Sequence, residues 1–344
     1  MKTAAFWQST VAGKIQCELC PHHCLIGDGQ TGRCGIRTAL HGSLQARGYG
    51  LLSGAHSDPI EKKPLYHFHP GSIIFSIGGW GCNFACDFCQ NWTISQQVDL
   101  NSQTTSPAQV VQAARRANAI GIAYTYNEPL INIEYVHDCA ELARQEGLLN
   151  VLVTNGYIEK KPAAWLLPLV DALNIDIKSM DEEFYRKQCH GTLAPVLKFA
   201  RQTVAAGCHL EITNLLIPGL NDAEQQVGRL SRWMLENLGK STPLHLSAYR
   251  PEFNMNLPPT PMAVLERAYA RCRQDLDYVY MGNVRIADGQ NTVCPQCKAV
   301  LVERNGYEIR ITGITDNACA KCGRKADVVQ KRAAIGSCAR RSLS

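Results

Sequence analysis

The chain has 344 residues, 45% of them hydrophobic, which is enough to bury one large core and a small satellite domain. Lys and Arg exceed Asp and Glu by 35 − 30 = 5, and this mild excess does not by itself indicate a nucleic-acid ligand. The sequence contains no run of about 18 apolar residues and opens on no apolar leader, so we expect neither a membrane span nor secretion.

Residues 1–70 form a cysteine-rich segment. Within 18 residues it carries four thiols, those of Cys17, Cys20, Cys24 and Cys34. Four such thiols can enclose a tetrahedral zinc ion or a complete iron-sulfur cluster, and their spacing does not choose between the two. Reactive or disulfide-forming cysteines are the alternative. Eleven of the sixteen cysteines of the chain fall into close sets, however, which favours a reducing cytoplasm with most thiols on metal.

Residues 48–70 are polar and contain Pro and Gly, so they are predicted to form an extended strap with little secondary structure. From residue 71 to residue 285, short apolar runs alternate with segments of helical period, the βα pattern of a parallel sheet. Six strands are predicted, at 73–77, 120–125, 149–154, 172–177, 210–217 and 244–247, with a weaker seventh at 278–281. Six βα units favour an α/β fold built as a partial (βα)6 barrel over a closed eightfold one.

The first predicted strand is followed by a loop with three cysteines. These are Cys82, Cys86 and Cys89, in the spacing C-x3-C-x2-C. A four-iron cluster normally takes four thiolates, so three would leave one iron with an open position for chemistry. A zinc loop with a distant fourth ligand is the alternative reading.

Polar residues follow the next strands, at the edge where the loops of a βα barrel converge. Tyr126, Asn127 and Glu128 follow the second strand, Asn155 and Gly156 the third, and Asp176 and Lys178 the fourth. The alternation in Asp176-Ile-Lys178 puts both charged side chains on one face, and a rim ion pair is the plain alternative. On the fifth and sixth strands, polar residues such as Glu211 and His245 could line a substrate pocket, although none is diagnostic.

Residues 286–330 have a different composition. Two C-x2-C pairs, Cys294 with Cys297 and Cys319 with Cys322, flank a hairpin pattern with Asn305-Gly306 as its turn. This spacing predicts a zinc ribbon that depends on metal for its folding, and a brace or docking surface is favoured over a nucleic-acid reader. Residues 331–344 are basic and are predicted to form a solvated, partly disordered tail.

The three-cysteine loop, with Phe88 directly before its last cysteine, resembles the cluster loop of radical S-adenosylmethionine (SAM) enzymes. Tyr126-Asn127-Glu128-Pro129 and Asp176-Ile177-Lys178 resemble the matching segments of pyruvate formate-lyase activating enzymes, although the usual Gly-Gly before the Glu is here Tyr126-Asn127. Over nearly its full length the chain resembles a narrower radical SAM group associated with AMMECR and Memo-like proteins, the AmmeMemoRadiSam group.

The resemblance implies a 4Fe-4S cluster whose open iron chelates the amino and carboxylate groups of SAM. Phe88 would lie near the adenine, and Glu128 with the backbone of residues 126–127 would hold the amino group. Asn155 and Gly156 would approach the ribose or the methionine part. Lys178 suits the SAM carboxylate, and Asp176 would orient Lys178 or bind a ribose hydroxyl.

The expected activity is reductive cleavage of SAM to a 5′-deoxyadenosyl radical, which removes hydrogen from an unidentified substrate. In activases that substrate is a protein. A flavodoxin or ferredoxin would supply the electron, and the resemblance implies an AMMECR or Memo-like partner. Cys189, on the loop after the fourth strand, is either a hydrogen-atom relay or a structural thiol. Two alternatives for the whole chain are a metal-stabilised module that binds nucleic acid or protein without catalysis, and an electron carrier with a fully ligated cluster.

Overall fold

The structure is a computed structural model that describes residues 2–11, 13–284 and 289–330. The predicted basic tail, residues 331–344, lies outside the described residues.

The N-terminal segment folds into two small three-stranded sheets. Its strands are β1 (Lys2–Thr3), β2 (Trp7–Ser9), β3 (Ile15–Cys17), β4 (Leu25–Ile26), β5 (Arg37–Leu40) and β6 (Ser43–Ala46). One sheet has the order β1-β6-β5 and the other β2-β3-β4, and all of these pairings are antiparallel. Buried apolar residues such as Ile15, Ile26 and Leu44 join these small sheets to the main core of the protein.

An eight-stranded sheet forms the centre of the molecule. Its strands are β7 (Gly54–Pro59), β8 (Ile73–Gly78), β9 (Gly121–Tyr124), β10 (Leu149–Thr154), β11 (Ala172–Asp176), β12 (His209–Leu216), β13 (Leu244–Ala248) and β14 (Val279–Gly282). From β8 to β14 each strand pairs in parallel with the next one in the chain, and β7 pairs antiparallel with β8 at the edge. The predicted α/β fold with a parallel sheet is therefore confirmed.

The prediction for the strap was wrong in one part, because residues 54–59 form β7. This strand lies at the edge, and its side chains from Ala55 to Ser57 are exposed, so the sequence shows no apolar alternation there. Pairing of its backbone with β8 holds it in place, from Gly54 opposite Gly78 to Pro59 opposite Ile73.

The helices connect the parallel strands and cover the sheet. They are α1 (Trp92–Ser95), α2 (Pro107–Arg116), α3 (Ile133–Gln145), α4 (Lys160–Leu166), α5 (Glu182–Phe184), α6 (Leu193–Ala205), α7 (Glu224–Asn237) and α8 (Met262–Cys272). Local sequence sets their ends: at α2, Ser106 and Gln109 form a reciprocal capping box and Pro107 occupies the first turn. After α3, Gly147 takes a left-handed φ of 71° and ends the helix. None of the helices in the described part of the chain has the length and apolar character that a bilayer crossing requires.

The C-terminal module packs on the main domain. It contains β15 (Thr292–Val293), β16 (Val300–Asn305), β17 (Glu308–Ile311), β18 (Ile314–Thr315) and β19 (Ala318–Cys319), with β16 and β17 as the predicted hairpin. Arg304 is buried and donates hydrogen bonds to the carbonyl of Tyr66 and the hydroxyl of Thr292, each at 2.7 Å. His67 also bonds the carbonyl of Asp327 at 2.7 Å, so the strap lies between the module and the sheet.

Candidate functional site

A cavity of about 760 Å³ opens where the parallel strands end, and it gathers most of the predicted site residues. Ten of them line it: Cys82, Cys86, Phe88, Cys89, Tyr126, Asn127, Glu128, Asn155, Asp176 and Lys178. Gly156 is not among the lining residues, because its Cα faces core side chains such as Phe199. Side chains from four consecutive parallel strands and their loops therefore converge on one space, as the topology requires.

The three-cysteine loop begins at a constrained glycine. Gly81 has a φ of 85°, and a Cβ there would lie 2.2 Å from the carbonyl oxygen of Cys34, so the position requires glycine. The side chain of Asn127 fixes the same segment: it accepts from Gly79 N at 2.8 Å and donates to Gly81 O at 2.9 Å. Asn127 thus holds the backbone that presents Cys82 to the cavity.

The thiols of this loop are less tightly grouped than those of the C-terminal module. Among the described residues, the four ribbon cysteines are the only group of three or more His, Cys, Asp and Glu ligands whose atoms all lie within 4.8 Å of one another. Zinc–sulfur bonds are about 2.3 Å long, so a bound zinc ion brings its thiolate ligands close together. The looser grouping of the three loop thiols therefore disfavours the zinc alternative. Burial and the nearby Glu128 raise the pKa of Cys82 well above its usual value, so the thiol keeps its proton until a metal displaces it.

Glu128 is buried at the end of β9 and is held by three donors. The hydroxyl of Thr154 donates to it at 2.6 Å, and the backbone N–H groups of Asn155 and Leu130 donate at 2.8 and 3.0 Å. Burial nevertheless raises the pKa of Glu128 to about 7, and the Asp176 carboxylate adds to this rise. A ligand amine brought against this carboxylate would stabilise its ionised form.

Asp176 and Lys178 form an ion pair among the residues that line the cavity. The Lys178 ammonium donates to Asp176 Oδ2 at 2.7 Å, and the exposed fractions of the two side chains are 16% and 29%. Burial alone would lower the pKa of Lys178, but the Asp176 carboxylate outweighs it and the pKa rises. The ammonium is therefore positively charged at neutral pH and available to an anionic ligand group.

Another wall of the cavity comes from β7 and the turn after it, to which the sequence patterns assigned no role. Asp58 accepts hydrogen bonds from Lys63 at 2.9 Å, from Lys62 at 3.1 Å and from the Tyr126 hydroxyl at 2.5 Å. All four residues line the cavity, as does His56. Adjacent lysines in a polar strap were the one available signal, and it is weak because such pairs are usually solvated.

The loop containing Cys189 packs against the cysteine loop. The backbone N–H of Ala85 donates to the carbonyl of Cys189 at 3.2 Å, and that of Asp87 to Gln188 at 3.0 Å. A hydrogen bond with the Cys189 thiol, together with burial, raises the pKa of Cys86 well above its usual value. The Cys189 thiol is fully buried and is not among the residues lining the cavity, so a relay role stays a prediction.

Glu211 and His245 lie away from the cavity, contrary to the substrate-pocket expectation. Glu211 accepts from His245 Nε2 at 2.6 Å, from His209 Nε2 at 3.0 Å and from the backbone N–H groups of Tyr66 and His67. Both residues occur early in their strands, and the cavity is at the other end. Their role is to fasten the strap to the sheet.

The other two cysteine sets are each brought together. Cys17, Cys20, Cys24 and Cys34 line a second, smaller cavity of about 20 Å³. In the C-terminal module, Cys294 Sγ lies 3.6 Å from Cys322 Sγ, and Cys297 Sγ lies 3.6 Å from Cys319 Sγ. All four sulfur atoms lie within 4.8 Å of one another, an arrangement suited to a single metal ion.

Comparisons with known proteins show what this chain is similar to. The family model described as the radical SAM superfamily matches residues 77–230. An uncharacterized protein of Methanocaldococcus jannaschii is 41% identical over 335 residues, covering 96% of this chain and 100% of the relative. Pyruvate formate-lyase 1-activating enzyme of Escherichia coli K12 is 22% identical over 175 residues, covering 49% of this chain and 71% of the relative. A solved domain of pyruvate-formate lyase-activating enzyme from Bacteroides vulgatus is 21% identical, covers 47% of this chain and 99% of that chain, and has a TM-score of 0.43.

Proposed function

Because the chain belongs to the radical SAM superfamily, we propose that Cys82, Cys86 and Cys89 hold a four-iron cluster and that the adjoining cavity binds SAM. When bound, the cluster supplies the electron that cleaves SAM into methionine and a 5′-deoxyadenosyl radical. The observation that carries the proposal is the convergence of three thiols, Glu128 and the Asp176–Lys178 pair on one cavity. Neither a binding module nor an electron carrier needs these charged groups beside an incomplete thiolate set.

The residues of the cavity have complementary tasks toward SAM. Glu128 would accept from the amine, and Lys178 would pair with the carboxylate, so the two charged groups of the methionine part meet opposite charges. Asp176 keeps Lys178 positioned, and Phe88, which is 3% exposed, supplies an apolar surface for the adenine. Asn155 donates to Cys82 Sγ at 3.7 Å and steadies that ligand.

The wall formed by His56, Asp58, Lys62 and Lys63 is the part of the cavity left for substrate. The Asp58 carboxylate neutralises one of the two lysine charges, so this wall keeps a net positive charge. Such a wall suits a substrate segment that is acidic or rich in carbonyl groups. In the proposed function the substrate is a protein, as the names of the activating-enzyme relatives suggest.

The remaining assignments are proposals of the same kind. The six βα units from β8 to α8 would form the open (βα)6 barrel of the family, within a core domain of residues 71–285, flanked by residues 1–70 and by a zinc ribbon at 286–330. A cytoplasmic flavodoxin or ferredoxin would supply the electron. The AmmeMemoRadiSam grouping, and with it an AMMECR or Memo-like partner, rests on the sequence resemblance.

SAM binding should depend on pH through Glu128. The pKa of this carboxyl is raised to about 7, so its ionised form is present above pH 7 and is lost as the pH falls through that value. We expect the SAM dissociation constant of the iron-loaded protein to rise about tenfold between pH 8 and pH 6. Anaerobic calorimetric titrations at both pH values measure it.

The matched control is Glu128→Gln, which keeps the size of the side chain but cannot ionise. It should bind SAM more weakly at pH 8 by about 10- to 100-fold, the effect of losing a charged hydrogen bond. Its pH dependence should be shallower than that of the wild type. An equal slope in both proteins would assign the pH effect to SAM itself and remove Glu128 from the amine site.

A further inference from the structure

The four N-terminal cysteines surround a cavity that the proposed radical chemistry leaves without a role. Cys17 ends β3, and its backbone N–H donates to the carbonyl of Cys24, just before β4, at 3.0 Å. Cys20 lies in the turn between these strands, and Cys34 comes from the segment that leads into β5. All four line one small cavity, so the fold brings the thiols around a common centre.

These four thiols are less tightly grouped than the four thiols of the C-terminal ribbon. The ribbon provides an internal comparison, since its thiol pairs touch at 3.6 Å and all four ligand atoms lie within 4.8 Å of one another. The N-terminal set, which is entirely within the described residues, forms no group of three that is so compact. A cubane of four irons and four sulfides holds its thiolates apart around its own volume, whereas zinc draws them into contact.

The walls of this cavity fit a buried anionic group. Arg37 is 1% exposed and lines the cavity. Its terminal nitrogens donate to Glu134 at 2.9 and 3.1 Å and to two backbone carbonyls, whereas its buried Nε–H has no partner of hydrogen-bond geometry. The guanidinium also lies close enough to Cys17 to lower the pKa of that thiol against the effect of burial. An unpaired buried donor is costly unless an acceptor is added, and thiolate or sulfide sulfur is such an acceptor. Leu19, Ile26 and Ile131 complete an apolar lining.

From these observations we propose that Cys17, Cys20, Cys24 and Cys34 bind a second four-iron cluster and not a zinc ion. Four thiolates ligate all four irons, so this cluster has no open position for SAM. It lies directly behind the three-cysteine loop: Asn83 lines the small cavity, and its side chain contacts Cys82 Sγ at 3.9 Å. His22 bonds the carbonyl of Asn83 at 2.7 Å and closes the gap between the two loops.

The metal content of the full chain tests the proposal without any substitution. After anaerobic reconstitution with iron and sulfide, we expect about eight irons and eight sulfides per chain, with about one zinc in the ribbon. About four irons with about two zinc ions would overturn the assignment.

A triple variant, Cys82→Ala with Cys86→Ala and Cys89→Ala, isolates the second centre. It should keep about four irons and, when reduced, show an iron-sulfur EPR spectrum that SAM does not change. Adding Cys17→Ser and Cys20→Ser should remove this iron while the ribbon zinc, as a marker of folded protein, remains. Fewer than about two irons in the triple variant, or iron that persists after the added changes, contradicts the proposal.

Discussion

Cys86→Ala is expected to abolish the change that SAM makes in the EPR spectrum of the reduced, iron-loaded protein. Two thiolates are too few to hold a four-iron cluster at the loop, and the neighbouring Cys189 thiol does not line the cavity. The variant should therefore form no 5′-deoxyadenosine. It should still contain iron, because the N-terminal thiols are untouched.

The matched control is Cys272→Ala, which also removes a fully buried thiol but lies on α8 away from the cavity. Cys272→Ala should keep the SAM-dependent spectrum and form 5′-deoxyadenosine at the wild-type rate. If Cys86→Ala retained the spectral response, the open iron would have to be held by another set of ligands.

Cys297→Ser is expected to unfold the C-terminal module. An isolated two-stranded hairpin is marginal in water, and the free energy of metal binding is folding free energy in modules of this kind. The buried core of the module is small, and its members include Cys294, Leu301, Val302 and Cys319. Losing the metal should therefore cost about 4 kcal/mol or more in the stability of the module.

Zinc analysis, limited proteolysis and thermal unfolding measure the effect of Cys297→Ser. The variant should lose about one zinc per chain and become sensitive to protease between β15 and β19. Gln296→Ser, an exposed position between the same two cysteines, is the control and should behave as the wild type. A Cys297→Ser protein that keeps its zinc and its protease resistance would show that the module does not depend on a four-thiolate site.

The parallel strands could be predicted because they are buried on both faces and therefore appear as continuous apolar runs. In β9, for example, all four residues are buried. Because the strands are parallel, the polar residues that follow them had to share one edge of the sheet. That is why Glu128, Asn155 and Lys178 could be placed together before the structure was known.

Other parts of the site had no such signal. Three of the six residues of β7 are exposed, and backbone pairing with β8 positions Asp58 in the cavity wall. Backbone pairing leaves no trace in the hydrophobic pattern, so the contribution of Lys62 and Lys63 was missed. Glu211 was misassigned for a different reason: it is the third residue of an eight-residue strand, far from the end that opens on the cavity.

The most direct measurement of the central claim is the formation of 5′-deoxyadenosine by the wild-type chain. The protein is reconstituted anaerobically, its iron and sulfide are counted, and it is then reduced with dithionite in the presence of SAM. We expect 5′-deoxyadenosine and methionine to form together and only under reduction. A protein with both clusters loaded that binds SAM but forms no 5′-deoxyadenosine would contradict radical chemistry at Cys82, Cys86 and Cys89.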